Sequence, residues 1–267
     1  MKRILIVAVN YNTYELLYQF VDKAIISMKA CEEPLSLKII VADNSSKREE
    51  IDTDCYQCVN LEVYKLNNLG YFGGAQYVIN KVDNIQDYDY IAISNVDLTI
   101  DEFFFTSLCA KKYSHNIGWI APSIYSLQEK RVKKTMTRPP KWKFVVFRIM
   151  YSFPLLYKLY YNTAYRRKRE KTQIMEECDI YAGHGAFIIL TKSFFNTYKK
   201  LNYPIFLFCE ENYLAELNRI AGMTVRYDPS LKIFDSEHVS IREIDIKRQC
   251  ALNYEAVDYI LRNFYKD

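Results

Sequence analysis

The chain has 267 residues, half of them hydrophobic and a quarter charged, the balance of a globular protein with ample material for a core. That composition excludes a disordered chain, a collagen and a disulfide-stapled mini-protein. The formal net charge is only +4, yet residues 130–171 hold fourteen lysines and arginines against one acid, Glu170. A basic block on an otherwise acidic body points to a local anionic partner, not to a nucleic-acid-binding protein.

Residues 4–9 form an unbroken apolar run, which reads as a strand covered on both faces and not as a signal peptide. Apolar residues at 16, 17, 20, 21, 24 and 25 predict a helix over 14–29. Residues 37–42 predict a second buried strand, closed by the polar loop 43–46, and residues 61–66 a third. A glycine-rich turn at 70–74 leads into a helix reaching about residue 84. A fourth strand follows at 90–94. From about 127 to 173 basic residues alternate with Trp142, Phe144, Phe147, Tyr151, Phe153, Tyr157, Tyr160 and Tyr161. Beyond it come a strand at 185–190, helices at 193–200 and 210–221, and a short strand at 224–227. An amphipathic closing helix carries Cys250, Tyr254, Val257, Leu261 and Phe264. The longest greasy stretch, 144–165, is interrupted by Arg148, Pro154 and Lys158, so no membrane span is expected.

Strands alternating with helices imply a mainly parallel central sheet with helices on both faces. Ligands of such sheets sit beyond the carboxyl ends of the strands. The polar clusters 10–13, 43–46 and 95–97 all fall there. Asp43, Asp97, the pair Glu210-Glu211 and the run Asp235-Ser236-Glu237-His238 supply carboxylates suited to a hard divalent cation that shares phosphate oxygens. The glycine turn does not fit the dinucleotide fingerprint and follows the third strand, which disfavours a nicotinamide enzyme. It still lets a ligand approach the backbone closely at a helix start. Seven scattered cysteines read as a reducing compartment. The lone Cys55-x-x-Cys58 lacks the second pair or the histidines of a zinc site. Twenty-four tyrosines suit sugar platforms, although codon bias explains them equally well.

Taken in order, these motifs resemble those of family 2 glycosyltransferases, particularly the bacterial rhamnosyltransferase-like enzymes of surface polysaccharide assembly. Val9-Asn10-Tyr11-Asn12 is similar to the family's first strand end and base-binding loop. Val41-Ala42-Asp43-Asn44-Ser45-Ser46 resembles the segment whose aspartate contacts the nucleoside. Asn68-Leu69-Gly70-Tyr71-Phe72-Gly73-Gly74 resembles its glycine turn. Ser94-Asn95-Val96-Asp97 stands where the family keeps a variant of its metal motif. Gly183-His184-Gly185 resembles the strand lining the sugar and acceptor pocket, and Phe206 to Glu211 the element that supplies the catalytic base.

The resemblance implies an α/β fold of the GT-A type. It divides into a nucleotide-sugar half (1–126), a basic aromatic insertion (127–173) and an acceptor-binding, catalytic half (174–267). It implies an inverting transfer from a nucleotide-diphosphate sugar, dTDP-rhamnose or a UDP-hexose, to a saccharide or lipid-diphosphate-linked saccharide hydroxyl. It places Glu211 as the base with Glu210 beside it. Adjacent helical residues point about 100° apart, so one hydroxyl is expected to meet only one of the two. Mg2+ or Mn2+ is implied at Asp97. Where the family's pattern keeps a metal-binding histidine, this chain has Asp235, with His238 three residues on; Asp235, His238 or neither completes the site. The basic insertion suggests peripheral attachment to the anionic inner face of a cytoplasmic membrane. Two other readings remain: a sugar nucleotidyltransferase, whose phosphate loop after the first strand is missing here, and an inactive membrane-bound scaffold of a polysaccharide complex.

Overall fold

The computed structural model describes residues 1–160, 176–236 and 245–266. Strands β1 (Lys2–Asn10), β2 (Leu35–Asp43), β3 (Asn60–Lys65) and β4 (Tyr90–Asn95) form a parallel set, with helix α1 (Tyr14–Lys29) linking the first two. The strand order is β3-β2-β1-β4. Residues of β1 alternate between two cores. Leu5, Val7 and Val9 enter one, while Ile4, Ile6 and Ala8 enter the other. Both faces are covered, so the strand reads as one continuous apolar run.

The sheet continues through β9 (Phe187–Thr191), β6 (Ile117–Ser126), β10 (Thr224–Asp235) and β5 (Leu98–Ile100), with β7 (Arg131–Val132) beside β6 and β8 (Cys178–Ile180) beside β10. The longer strands β6 and β10 run parallel to each other. The short strands β5, β7 and β8, and β9, are antiparallel to their neighbours. β6, from the first segment of the chain, lies between β9 and β10 of the last, so one sheet crosses the whole molecule. Helices α3 (Phe104–Ala110), α6 (Lys192–Thr197), α7 (Glu210–Ile220) and α8 (Ile246–Phe264) complete the layers. No described helix is long and apolar enough to cross a membrane.

Several elements depart from expectation, β6 and α3 among them, which the sequence patterns do not predict. Helix α2 (Tyr71–Ile79) begins inside the glycine turn and stops short of residue 84. Asn80 caps it and exchanges two hydrogen bonds with the Leu201 backbone, at 2.8 and 2.9 Å. β10 runs eight residues beyond the expected Tyr227, because a register shift between Asp228 and Lys232 absorbs Pro229, which has no amide hydrogen to give. The basic segment folds into α4 (Lys141–Tyr151) and α5 (Pro154–Tyr160), both packed on α8. The rest of that segment, 161–173, lies outside the described residues.

Gly70 starts α2 at φ 78° and ψ 174°, a region open essentially to glycine alone. A Cβ there would lie 1.9 Å from the Phe206 carbonyl oxygen. Gly70→Ala is therefore expected to lower stability by at least about 1–3 kcal/mol in urea denaturation.

Candidate active site

The sheet register aligns the polar strand ends. Asn10 stands opposite Asp43, and Val9 opposite Asn95. Asp43 is fully buried, and its carboxylate accepts from Asn10 Nδ2 at 3.1 Å, Ser45 N at 3.2 Å, Ser45 Oγ at 2.5 Å and Tyr14 Oη at 2.8 Å. Three of these bonds fall on Oδ1 and only that of Tyr14 on Oδ2, so Asp43 shapes the loop that carries Asn44 to Ser46. Asn12 N donates to Ser45 Oγ at 2.8 Å and Asn12 Nδ2 to Ser46 Oγ at 3.1 Å, joining the loops after β1 and β2. Tyr11 projects from this edge with 42% of its surface exposed, an aromatic face available for stacking. Next to these loops, Asn44, Ser45, Ser46, Arg48, Asn67 and Asn68 line an open cavity of about 400 Å³.

The glycine turn closes against the same edge. Asn44 Nδ2 donates to the Gly70 carbonyl at 2.9 Å, Leu69 N donates to Asn44 Oδ1 at 3.2 Å, and Gly70 N to Asn68 Oδ1 at 3.1 Å. A Cβ on Gly74 would meet Asn44 Nδ2 at 2.7 Å, whereas Gly73 is open to ordinary contact. Glycine at 74 is thus a packing requirement.

Across the cleft, α7 brings Glu210 and Glu211 to the entry of β9. Gly185 N donates to Glu211 Oε1 at 3.0 Å. A Cβ on Gly185 would fall 2.6 Å from Glu211 Oε1 and 3.1 Å from Glu210 Oε1. Both carboxylates therefore crowd one glycine, despite their angular separation on the helix, because the long side chains fold back over it. Burial raises both carboxyls above the ordinary glutamate range, and the Glu211 charge raises Glu210 further. The turn before them is strained. Phe208 and Cys209 are consecutive non-glycine residues at φ 75° and 61°. Tyr203 Oη holds this turn through a 2.7 Å bond to the Phe208 carbonyl, and its ring stacks on Tyr213 at 4.8 Å. Farther along α7, buried Glu216 accepts from Arg138, Arg219 and Tyr181, which together hold it below the ordinary value against its burial.

The β5–β10 ladder brings the backbone at Asp97 and Asp235 to one sheet edge. Asp235 pairs with Leu98 across the β5–β10 ladder, and Ser236 Oγ donates to the Asp97 carbonyl at 3.1 Å. Asp235 is buried and ion-paired with Lys133 Nζ at 2.5 Å. His184 is close to both charges. Burial, reinforced by Lys133 and opposed by Asp235, pushes its imidazole down to about 4. Its Nδ1 accepts from Ala186 N at 3.2 Å, so the neutral ring presents an Nε2 donor. Gly183 lies under this segment, where a Cβ would meet the Ala121 side chain at 2.5 Å. His238 lies outside the described residues. Among the described residues no three His, Cys, Asp or Glu side chains converge as ligands. Asp97 with Asp235 is a pair of hard oxygen donors, which fits a divalent cation that takes its remaining ligands from phosphate and water.

Two residues of the site carried no assignment in the sequence. Tyr71 Oη donates to the Gly185 carbonyl at 2.8 Å, fixing the β9 entry from the α2 side. Burial, then Glu210, Glu211 and Asp97, raise its hydroxyl well above the usual range and keep it protonated. The aromatic residue inside the glycine turn was its only signal. Lys133 had none, since it is one lysine among many in a basic segment.

The raised carboxyls make stability depend on pH. Below about pH 4 the unfolded chain is protonated as well and nothing is lost. As pH rises toward the raised values, ionisation in the unfolded chain progressively disfavours the fold. Glu210→Gln is expected to stabilise the protein at about pH 8 by on the order of 1 kcal/mol and to give no gain near pH 4, as read by thermal denaturation.

No protein-family model matches this sequence, and no curated protein does. Solved structures do match. A crystal structure of GalNAc-T7 with UDP, GalNAc and Mn2+ aligns with a TM-score of 0.61 at 13% identity, covering 100% of this chain and 49% of that one. This chain thus spans about half the length of that protein. S. aureus TarS 1-349 aligns at 0.55 and 12% identity, over 99% of this chain and 71% of that one. Its complex with UDP-GlcNAc aligns at 0.56 and 12% identity, over 99% and 72%. With polar loops at the carboxyl edge of a mainly parallel sheet and helices on both faces, this chain has the GT-A glycosyltransferase fold.

Proposed function

We propose that the protein is an inverting glycosyltransferase. It would move a sugar from a nucleotide-diphosphate donor, dTDP-rhamnose or a UDP-hexose, to a saccharide or lipid-diphosphate-linked saccharide hydroxyl in surface polysaccharide assembly. The observation that carries the reading is the half-buried Glu210-Glu211 pair on Gly185, at the β9 entry where Asn95 N donates to the Ala186 carbonyl at 3.1 Å, in a GT-A fold.

In this reading Tyr11 and the loop knitted by Asn10, Asn12 and Asp43 receive the nucleoside, with Asp43 as a positioning residue. Asn68, Gly70, Gly73 and Gly74 bring the backbone near the donor. Asp97 and Asp235 would hold Mg2+ or Mn2+, which supplies positive charge to the departing diphosphate. Glu211 receives the proton of the acceptor hydroxyl while that oxygen attacks the anomeric carbon and the bond to the diphosphate breaks. A single displacement inverts the configuration. Because Gly185 N–H engages Oε1, Oε2 is left to take the proton. A carboxyl raised toward neutrality is a stronger base than an exposed one. The neutral His184 donates from Nε2 to a sugar oxygen, and Tyr71 stays protonated as a strut.

Glu211→Gln is expected to lower transfer by at least about 100-fold while calorimetry finds donor affinity nearly unchanged; retained turnover would move the base elsewhere. The acid limb of the rate profile should lie above the ordinary glutamate value of about 4.3, since lowering pH through the raised value protonates the base. A thermal-shift screen of dTDP- and UDP-sugars with Mg2+ or Mn2+ identifies the donor, because a ligand of the native state alone raises Tm. Asp97→Asn and Asp235→Ala should each weaken the metal-dependent part of that shift.

A further inference from the structure

Helix α4 is apolar on two opposite sides. At about 100° per residue, Phe144, Phe147 and Tyr151 share one side, and Trp142, Val146 and Ile149 the other. The first side is packed. Phe144 is buried with its ring 5.0 Å from that of Tyr265, Tyr151 lies 5.2 Å from Tyr157, and Arg148 is tied to Asp258 of α8 at 2.9 Å. The second side is bare. Trp142 is 62% exposed, and the surface continues through Ile149, Phe153 and Leu156 to Leu155 at 84% and Leu159 at 63%. A soluble helix needs only one apolar stripe, so the outer one calls for an occupant.

Charge indicates which. Lys141 and Lys143 flank Trp142 in the first turn, the Lys143 ammonium 5.8 Å from the indole ring, and Lys158 lies among the leucines of α5. The sequence has no Asp or Glu from residue 130 to residue 169. A Trp, Phe and Leu surface with Lys143 and Lys158 beside it matches the interface of an anionic bilayer, where rings and leucines enter the acyl boundary and lysines meet headgroups. A second copy would bring the same cations against these. We propose that α4 and α5 form a membrane-surface anchor that seats Trp142, Ile149, Phe153, Leu155 and Leu159 in an anionic bilayer. The packed side of the anchor belongs to the same core as the turn before Glu210, since Tyr151 and Cys209 both pack against that cluster. An acceptor held at the bilayer surface would then be delivered next to the carboxylate pair.

The chain has two tryptophans, and Trp119 is fully buried, so a change in emission on membrane contact reports Trp142. With vesicles of phosphatidylcholine containing about 30% phosphatidylglycerol, the emission should shift to the blue, be quenched by brominated acyl chains, and revert in high salt. Leu155→Ser with Leu159→Ser, both at exposed positions, should weaken co-sedimentation at least about tenfold with Tm unchanged. Lys141→Glu with Lys143→Glu should do the same. Unchanged Trp142 emission with anionic vesicles would overturn the proposal. So would vesicle binding that survives the leucine changes, or a dimer in sedimentation that those changes dissociate. No donor or acceptor enters the measurement, so its outcome is independent of the catalytic reading.

Discussion

The hydrogen bond from the Gly185 amide to Glu211 joins the start of α7 to the entry of β9, and the Glu210-Glu211 pair is arranged around it. Two adjacent carboxylates taken partly out of water repel each other and lose hydration. The surroundings make that arrangement tolerable. Gly185 leaves room for both side chains, and Tyr71 fixes the carbonyls of Gly185 and Ala186 from the opposite side. The turn through Phe208 and Cys209 is held in a left-handed conformation by Tyr203, itself wedged between Phe72, Tyr213 and Tyr259. Strain at the turn is thus supported by a well-packed aromatic core, a distribution expected where geometry serves chemistry.

The opposite edge follows a different principle. There the charged group is spent on structure. Asp43 accepts from Asn10, Tyr14 and Ser45, and the exposed groups of these loops include the ring of Tyr11. Negative charge is concentrated instead at Asp97 and Asp235, where the diphosphate of a donor would need a cation between itself and the protein. Lys133 balances Asp235 at that point, so the local field is set by how the chain after β6 returns to the sheet edge.

The α4–α5 pair has two unlike sides. Its inner side is continuous with the core beneath the catalytic turn, and its outer side is apolar and cationic. The two sides are separated by the diameter of one helix.

The sequence by itself determined the parallel half of the sheet, because a strand covered on both faces must be apolar at every position, and that pattern is local. It also determined the polar strand ends at Asn10, Asp43 and Asn95, and the acidic start of α7, for carboxylates at a helix N-terminus are a local signal too. It did not reveal β6, which is central yet carries Pro122 and serines, nor the length of β10 past Pro229, since both depend on what pairs alongside. The approach of Asp97 to Asp235 is set by the β5–β10 register, between segments more than a hundred residues apart. The contact of Lys133 with Asp235, the closure of Tyr71 on Gly185 and the crowding of both glutamates on one glycine were likewise decided only by tertiary structure. Periodicity reports which face of an element is buried; it carries no record of which distant side chain lies across from it.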